Sequence, residues 1–222
     1  MNKHERGMKA LQKKKYDEAL KWFNEVIEDN PDDPVGYIHF GDVLLAAGER
    51  EKAQNFYRKA LALKELPTPF YSLGTIQYEE GHYEAAAGCF EKAIQLGLKD
   101  KDTYFMLGMC FMMLGNPRFA MPYLQRSVEL DEGDTEARFQ YALSLIKSNF
   151  ADEALKQFQK VLEQDPKHTD ALYNTGAIYM QFLGDLEKAA GYFKKAVEIQ
   201  PGHLLSGYGL KMVEKLKDIE TL

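Results

Sequence analysis

Residues 101–134 read KDTYFMLGMCFMMLGNPRFAMPYLQRSVELDEGD. Within them Tyr104, Leu107, Gly108 and Phe111 follow the i, i+3, i+4, i+7 spacing of one helix face. Gly115 then supplies the left-handed residue that commonly ends a helix. A second set, Ala120, Leu124 and Ser127, follows at steps of four and three. The stretch therefore predicts two helices, A and B, joined by a tight turn. Pro122 lies about one and a half turns into helix B, so a kink or a late helix start is expected there.

The same pattern recurs along the chain. The small residue of helix A appears as Gly7, Gly41, Gly74, Gly108, Ala142 and Gly176, at steps of 34, 33, 34, 34 and 34 residues. The alanine of helix B appears as Ala19, Ala53, Ala86, Ala120, Ala154 and Ala189. Four residues after each stands Phe23, Tyr57, Phe90, Leu124, Phe158 or Phe193. Gly48, Gly81, Gly115 and Asn149 close A helices, and Pro31, Pro166 and Pro201 follow B helices, which proline cannot continue. Repeat 2 is one residue short before Pro67, and repeat 6 is one longer within Met180–Leu183, where a displaced or bulged turn is expected. The repeats occupy residues 1–33, 34–66, 67–100, 101–134, 135–168 and 169–203, with a terminal helix over 204–222. A pair this small cannot bury its apolar face alone, so neighbouring pairs must stack into one domain, residues 1–222.

These residues resemble the tetratricopeptide repeat (TPR) family, whose helix A carries an aromatic, Leu, Gly and Tyr and whose helix B carries Ala, Phe, Ala and Pro. Tyr104-Phe105-Met106-Leu107-Gly108, Tyr83-Glu84-Ala85-Ala86 and the run from Gly184 to Ala189 carry the likeness, which covers residues 1–203. Short stand-alone TPR proteins of bacteria are the most similar kind. The resemblance implies an all-α fold: a right-handed α-solenoid of six TPR helix-turn-helix repeats plus a C-terminal capping helix, with A helices on the concave wall. A TPR subclass grips acidic C-terminal carboxylates with Lys and Asn on helix A. Here the matching positions hold Ile38, Tyr71, Phe105, Phe139, Met109 and Leu143, so that clamp is absent.

In the terminal helix Leu205, Tyr208, Met212, Leu216 and Ile219 share one face, expected to cap the stack, and Gly207 and Gly209 weaken its first turn. Its polar side mixes acids with lysines, unlike the basic face of a membrane-surface helix.

The other function classes find little support. With 34 Asp and Glu against 28 Lys and Arg, the net charge of −6 opposes a nucleic-acid surface, and an RNA-reading helical repeat lacks its basic wall. Two cysteines in 222 residues make no disulfide scaffold and suit a reducing, cytoplasmic setting. Cys89 and Cys110 read as small buried hydrophobes. His4, His39, His82, His168 and His203 are scattered without metal-ligand spacing, and no phosphate loop occurs, so no metal, cofactor or enzymatic activity is expected. No stretch approaches the roughly 20 apolar residues of a membrane span, and the N-terminal stretch is no secretory signal.

Helix A carries a second apolar stripe. One column is His4, Ile38, Tyr71, Phe105, Phe139 and Tyr173. A second is Met8, Asp42, Thr75, Met109, Leu143 and Ala177, and a third Leu11, Leu45, Tyr78, Met112, Ile146 and Met180. At about 100° per residue these lie well over 90° from the core stripe, on the face the resemblance turns into the concave groove. Tyr71, Phe105, Phe139 and Tyr173 are expected to be partly exposed anchors. Asp102, Glu136 and Asp170 recur at the start of A helices, where the helix dipole favours them. The expected activity is that of a scaffold, with a groove formed by Ile38, Asp42, Tyr71, Tyr78, Phe105, Met109, Met112, Phe139, Leu143, Ile146, Tyr173 and Met180. Its ligand would be a protein or peptide, apolar or amphipathic with some basic character. The alternative is a self-associating structural protein; the chain would be a monomer or a weak homo-oligomer.

Overall fold

A computed structural model of the chain describes residues 1–220. Its first helices are α1 Lys3–Gln12, α2 Tyr16–Asp29, α3 Pro34–Ala46, α4 Arg50–Leu63, α5 Pro67–Glu79 and α6 Tyr83–Gln95. They are followed by α7 Lys101–Met113, α8 Pro117–Leu130, α9 Thr135–Lys147, α10 Ala151–Gln164, α11 Thr169–Gln181, α12 Leu186–Ile199 and α13 Leu204–Glu220. No strand occurs among the described residues. The protein is an all-α TPR-type stack of helix pairs, and it divides into two compact units, Met1–Cys110 and Phe111–Leu222.

In the first unit each pair closes by setting a B-helix ring against an A-helix residue without a side chain. A Cβ on Gly7 would lie 2.7 Å from Phe23 Cζ, and one on Gly41 would lie 2.8 Å from Tyr57 Cε1. Phe23, Tyr57 and Phe90 are fully buried. The following A helix seals the other side of the ring: Val43 of α3 joins Ala10, Ala19 and Phe23, and Ile76 of α5 joins Tyr57. Burying one such ring contributes about 1.5–3 kcal/mol.

One polar group interrupts this core. The His4 ring lies 5.9 Å from Phe23 and 4.7 Å from His39, and its buried Nε2 has no hydrogen-bond partner. Burial, then the neighbouring His39, pushes the His4 pKa below its ordinary value, against weaker upward pulls from Glu5 and Asp33.

The second unit repeats the scheme. A Cβ on Gly176 would lie 2.8 Å from Phe193 Cε1, and Ile178 of α11 packs in the cluster of Phe158 and Val161. In α9 the small position is Ala142, fully buried. Its α8 begins at Pro117 and continues through Pro122 to Leu130, which corrects the expected late start. Proline at the first helical position removes an N–H that would have no intrahelical partner.

The turns between A and B helices share one closure. In α3–α4 Gly48 is left-handed, and the Glu49 N–H donates to the Leu44 carbonyl at 2.9 Å. Asn149 takes the same conformation in α9–α10, and Lys14 does so in α1–α2 at φ 55° without glycine's freedom. The α11–α12 turn is wider. There the Leu183 N–H donates to the Ile178 carbonyl at 3.3 Å and the Asp185 N–H to the Tyr179 carbonyl at 2.9 Å. The extra residue is absorbed in that second, longer ring.

Gly176→Ala is expected to destabilise the protein by about 1–3 kcal/mol through overpacking against Phe193. Ala142→Gly removes no such clash and should cost only about 0.5–1 kcal/mol. Urea unfolding of the two variants checks both values. A second expectation follows from His4, whose lowered pKa means that the folded state binds fewer protons than the unfolded chain near and below the ordinary histidine range. Stability then rises with pH, and it falls as pH drops through about 6.5. Melting curves between about pH 7.5 and 5.5 should show the decline, and His4→Gln should flatten it.

Candidate functional site

The stripe columns are only partly on the surface. In the first unit Ile38 is 5% exposed, which corrects its assignment to the groove lining. The same column in α5 shows the cause: the Tyr71 ring lies edge-on to the buried Phe90 at 5.6 Å, so this position leans over the B-helix ring. Burial, then Asp102 and Asp100, pushes the Tyr71 hydroxyl pKa up. Asp42 is half-buried and engaged: the Tyr57 hydroxyl donates to Oδ1 at 2.8 Å, and His39 Nδ1 lies 3.1 Å from Oδ2. It is a structural acceptor rather than a free acid. Tyr78, edge-on to Tyr83 at 5.3 Å, is half-buried, as are Phe105 and Met109.

In the second unit Phe139 is 8% exposed, which corrects the expectation that it is an exposed anchor. It packs 5.7 Å from Phe158, and the His168 ring lies 4.6 Å away on it. His168 belongs to the next helix start, where its Nδ1 accepts the Ala171 N–H at 3.3 Å. Tyr173 is placed in the same way, 5.8 Å from Phe193 and 5.9 Å from His203, but keeps a half-exposed ring. His203 Nε2 lies 3.0 Å from Asp170 Oδ1, and its Nδ1 lies 2.7 Å from the Ser206 hydroxyl. Leu143 and Ile146 pack against the Phe139–Phe158 cluster, Met180 packs against the Phe193–Val213 cluster, and Met112 is half-buried.

Helix α13 departs most from expectation. Its buried face is Ser206, Gly209 and Val213; a Cβ on Gly209 would lie 2.8 Å from Phe193 Cζ. The glycine expected to weaken the helix is the point of closest packing. The apolar stripe expected to cap the stack instead meets solvent: Leu205, Tyr208, Met212, Leu216 and Ile219 are 53%, 66%, 51%, 36% and 67% exposed. The register explains why. Residues 204–216 of α13 match the α11 residues 35 positions earlier, so Ser206 and Val213 repeat the buried Ala171 and Ile178, while Tyr208 repeats Tyr173 and Met212 repeats Ala177. Tyr208 and Met212 thus continue two A-helix columns onto α13, while Leu205 and Leu216 stand where α11 has Asp170 and Gln181. The pair of histidines at 168 and 203, also 35 apart, carried that signal in the sequence.

The candidate surface in the second unit therefore comprises Leu143, Ile146, Tyr173 and Met180 together with the α13 stripe, which the sequence pattern placed in the cap. Glu136 and Asp170 are exposed in the first turns of α9 and α11, and Lys211 and Lys215 are exposed on α13. The arrangement offers apolar contact with charges at its edge. Neither thiol is activated: burial raises the Cys89 pKa and pushes that of Cys110 up to about 12. Among the described residues no three His, Cys, Asp or Glu side chains could hold a metal ion, and no helix is long and apolar enough to cross a membrane.

Stacked helix pairs closed by ring-on-glycine contacts define a helical-repeat protein. Tetratricopeptide repeat models match residues 10–67 and 139–203, and a model described as anaphase-promoting complex, cyclosome, subunit 3 matches residues 79–161. The solved structure of YrrB, a TPR protein with an unusual peptide-binding site, is 43% identical, with a TM-score of 0.82 over 85% of this chain and 97% of its own. The chain belongs to the tetratricopeptide repeat family. PilF of Pseudomonas aeruginosa shares the fold at 20% identity, with a TM-score of 0.73 over 93% of this chain and 94% of its own. The human protein O-mannosyl-transferase TMTC3 is 26% identical over 78% of this chain, and human tetratricopeptide repeat protein 16 is 28% identical over 69%. The chain spans 21% and 19% of the length of these two curated relatives.

The two tiers of the stripe should separate on truncation. Phe139→Ala is expected to cost about 3–5 kcal/mol, whereas Tyr208→Ala should change stability by no more than about 0.5 kcal/mol. Paired thermal and urea melts measure the difference.

Proposed function

We propose that the chain is a protein- or peptide-binding module whose binding surface is the A-helix face of the second unit. One observation carries the reading: five large apolar side chains of α13, Leu205 to Ile219, stand in solvent at a third or more of their full exposure. Contiguous exposed apolar surface of this kind marks interaction sites in soluble proteins. Tyr208 and Met212 combine large contact area with adaptable packing, which suits anchor positions. Half-buried Tyr173, Met180, Leu143 and Ile146 continue the surface. In the first unit Tyr71, Tyr78, Phe105 and Met109 offer a face of similar character. YrrB, with its peptide-binding site, supports a ligand of this class.

The preferred ligand is an apolar or amphipathic segment. A basic residue in it would complement Glu136 and Asp170, and the lysines of α13 would oppose a strongly cationic one. Tyr208→Asp combined with Met212→Asp should weaken capture of partners from the native cell by at least about 30-fold, the loss expected when interface anchors are removed. Both residues are exposed, so helicity and melting should stay unchanged. Undiminished capture by the double variant overturns the assignment.

A second reading rests on α13 alone. The steps between Leu205, Tyr208, Met212, Leu216 and Ile219 are 3, 4, 4 and 3 residues, the same from either end. Two copies could then pair antiparallel about Met212 through an isologous contact. Light scattering across concentrations distinguishes the readings, since a strictly monomeric chain removes self-association.

A further inference from the structure

The first unit carries a second surface, built from different residues. A cavity of about 820 Å³ is floored by Leu20 of α2, Phe40 and Leu44 of α3 and Phe56 of α4. Lys52, Asn55, Arg58, Lys59 and Ala62 of α4 complete it. It uses Phe40 and Leu44 of α3 rather than the Ile38 and Asp42 columns, so it is not part of the A-helix face. Its α4 wall runs from Lys52 to Ala62, about 15 Å at the helical rise, or some three turns.

The charge on this trench has one sign. No Asp or Glu lines it. Lys52 is paired with Glu49 at 3.0 Å. Arg58 donates only to amide oxygens, those of Gln54 at 2.8 Å and Asn55 at 3.3 Å. The Lys59 ammonium lies 4.9 Å over the Phe56 ring. Neither Arg58 nor Lys59 has a carboxylate partner among the described residues. In a chain of net charge −6 this leaves two uncompensated cations beside an apolar floor. Asp17, Glu18 and Glu49 line the neighbouring cavity, which holds Lys14, Lys15 and Tyr16, and they bound the basic region on that side.

We propose that this trench binds an acidic amphipathic segment of a partner protein, with its apolar side chains on Leu20, Leu44, Phe40 and Phe56 and its Asp or Glu side chains on Arg58 and Lys59. The volume suits several side chains from one face of a short segment. A nucleic acid fits less well. Its bases need an open aromatic face, and Phe56 is stacked on Phe40 at 4.2 Å with Lys59 over its ring. A bare phosphate chain would leave the apolar floor unused. The surface is independent of the one on the second unit, so either assignment can fail alone.

The test uses the full chain and two synthetic probes of about three helical turns. One probe is an amphipathic peptide of Leu, Phe, Asp and Glu; the other carries Lys at every acidic position. Backbone amide shifts should map the acidic peptide to Leu20, Phe40, Phe56, Arg58 and Lys59, and the basic peptide should leave these amides unmoved. Arg58→Glu with Lys59→Glu should weaken the acidic peptide by about tenfold or more, as should raised salt. The milder pair Arg58→Gln and Lys59→Gln should give an intermediate loss with an unchanged melting curve. Equal binding of the basic peptide, shifts confined to α9, α11 and α13, or full affinity in the charge-reversed variant would each overturn the proposal. Displacement of the acidic peptide by a short RNA at comparable concentration would overturn it as well.

Discussion

The structure depends on a bare stretch of A-helix backbone meeting an aromatic ring. Phe23 lies against Gly7, Tyr57 against Gly41, and Phe193 against both Gly176 and Gly209, each at a distance that leaves no room for a methyl group. These rings are large, fully buried and rigid. Their burial is favourable only if the helices approach until no void remains around them. Once that approach is fixed, the rotation of the A helix that carries the glycine is fixed with it. Which side chains enter the stack and which face outward then follows from helical geometry.

The proposed binding face is what this packing leaves over. The column containing Tyr71, Phe139 and Tyr173 sits on the shoulder of the rings, and in the second unit the next helix start brings a histidine to Phe139 and to Tyr173. His168 covers Phe139 and closes it. His203 approaches Tyr173 at a longer distance and is drawn toward Asp170, leaving the tyrosine half-exposed. On α13 Tyr208 is open. Within the second unit the difference between Phe139 and Tyr173 therefore follows from how each histidine is held.

Local features of the fold were legible in the sequence because local chemistry sets them. Gly48, Gly115 and Asn149 mark helix ends through backbone conformation, and the alanine and aromatic columns give the B helices through their spacing. Exposure was less legible. Ile38 and Phe139 look like surface aromatics and aliphatics on a helical wheel, and only the neighbouring pair buries them. Asp42 looks like a free acid, and only Tyr57 and His39, met through folding, engage it. In α13 hydrophobicity misled. Gly209 and Val213 meet Phe193 and Leu210 packs against the same cluster, so a glycine stands at the closest contact and the strongest apolar stripe lies on the other side. A register of 35 residues, rather than 34, links Tyr173 to Tyr208 and shows the correct rotation.

The double use of Phe193 has an evolutionary consequence. One ring is gripped by glycines on two different helices, 33 residues apart, so the three positions share a single volume. A smaller residue at 193 would free both glycines to acquire side chains, while a side chain at either glycine would press for a smaller ring. Descendants of this sequence should therefore change these sites jointly. The linked triplet would appear as covariation between the last full helix pair and the terminal helix, a trace of the packing that keeps α13 turned outward.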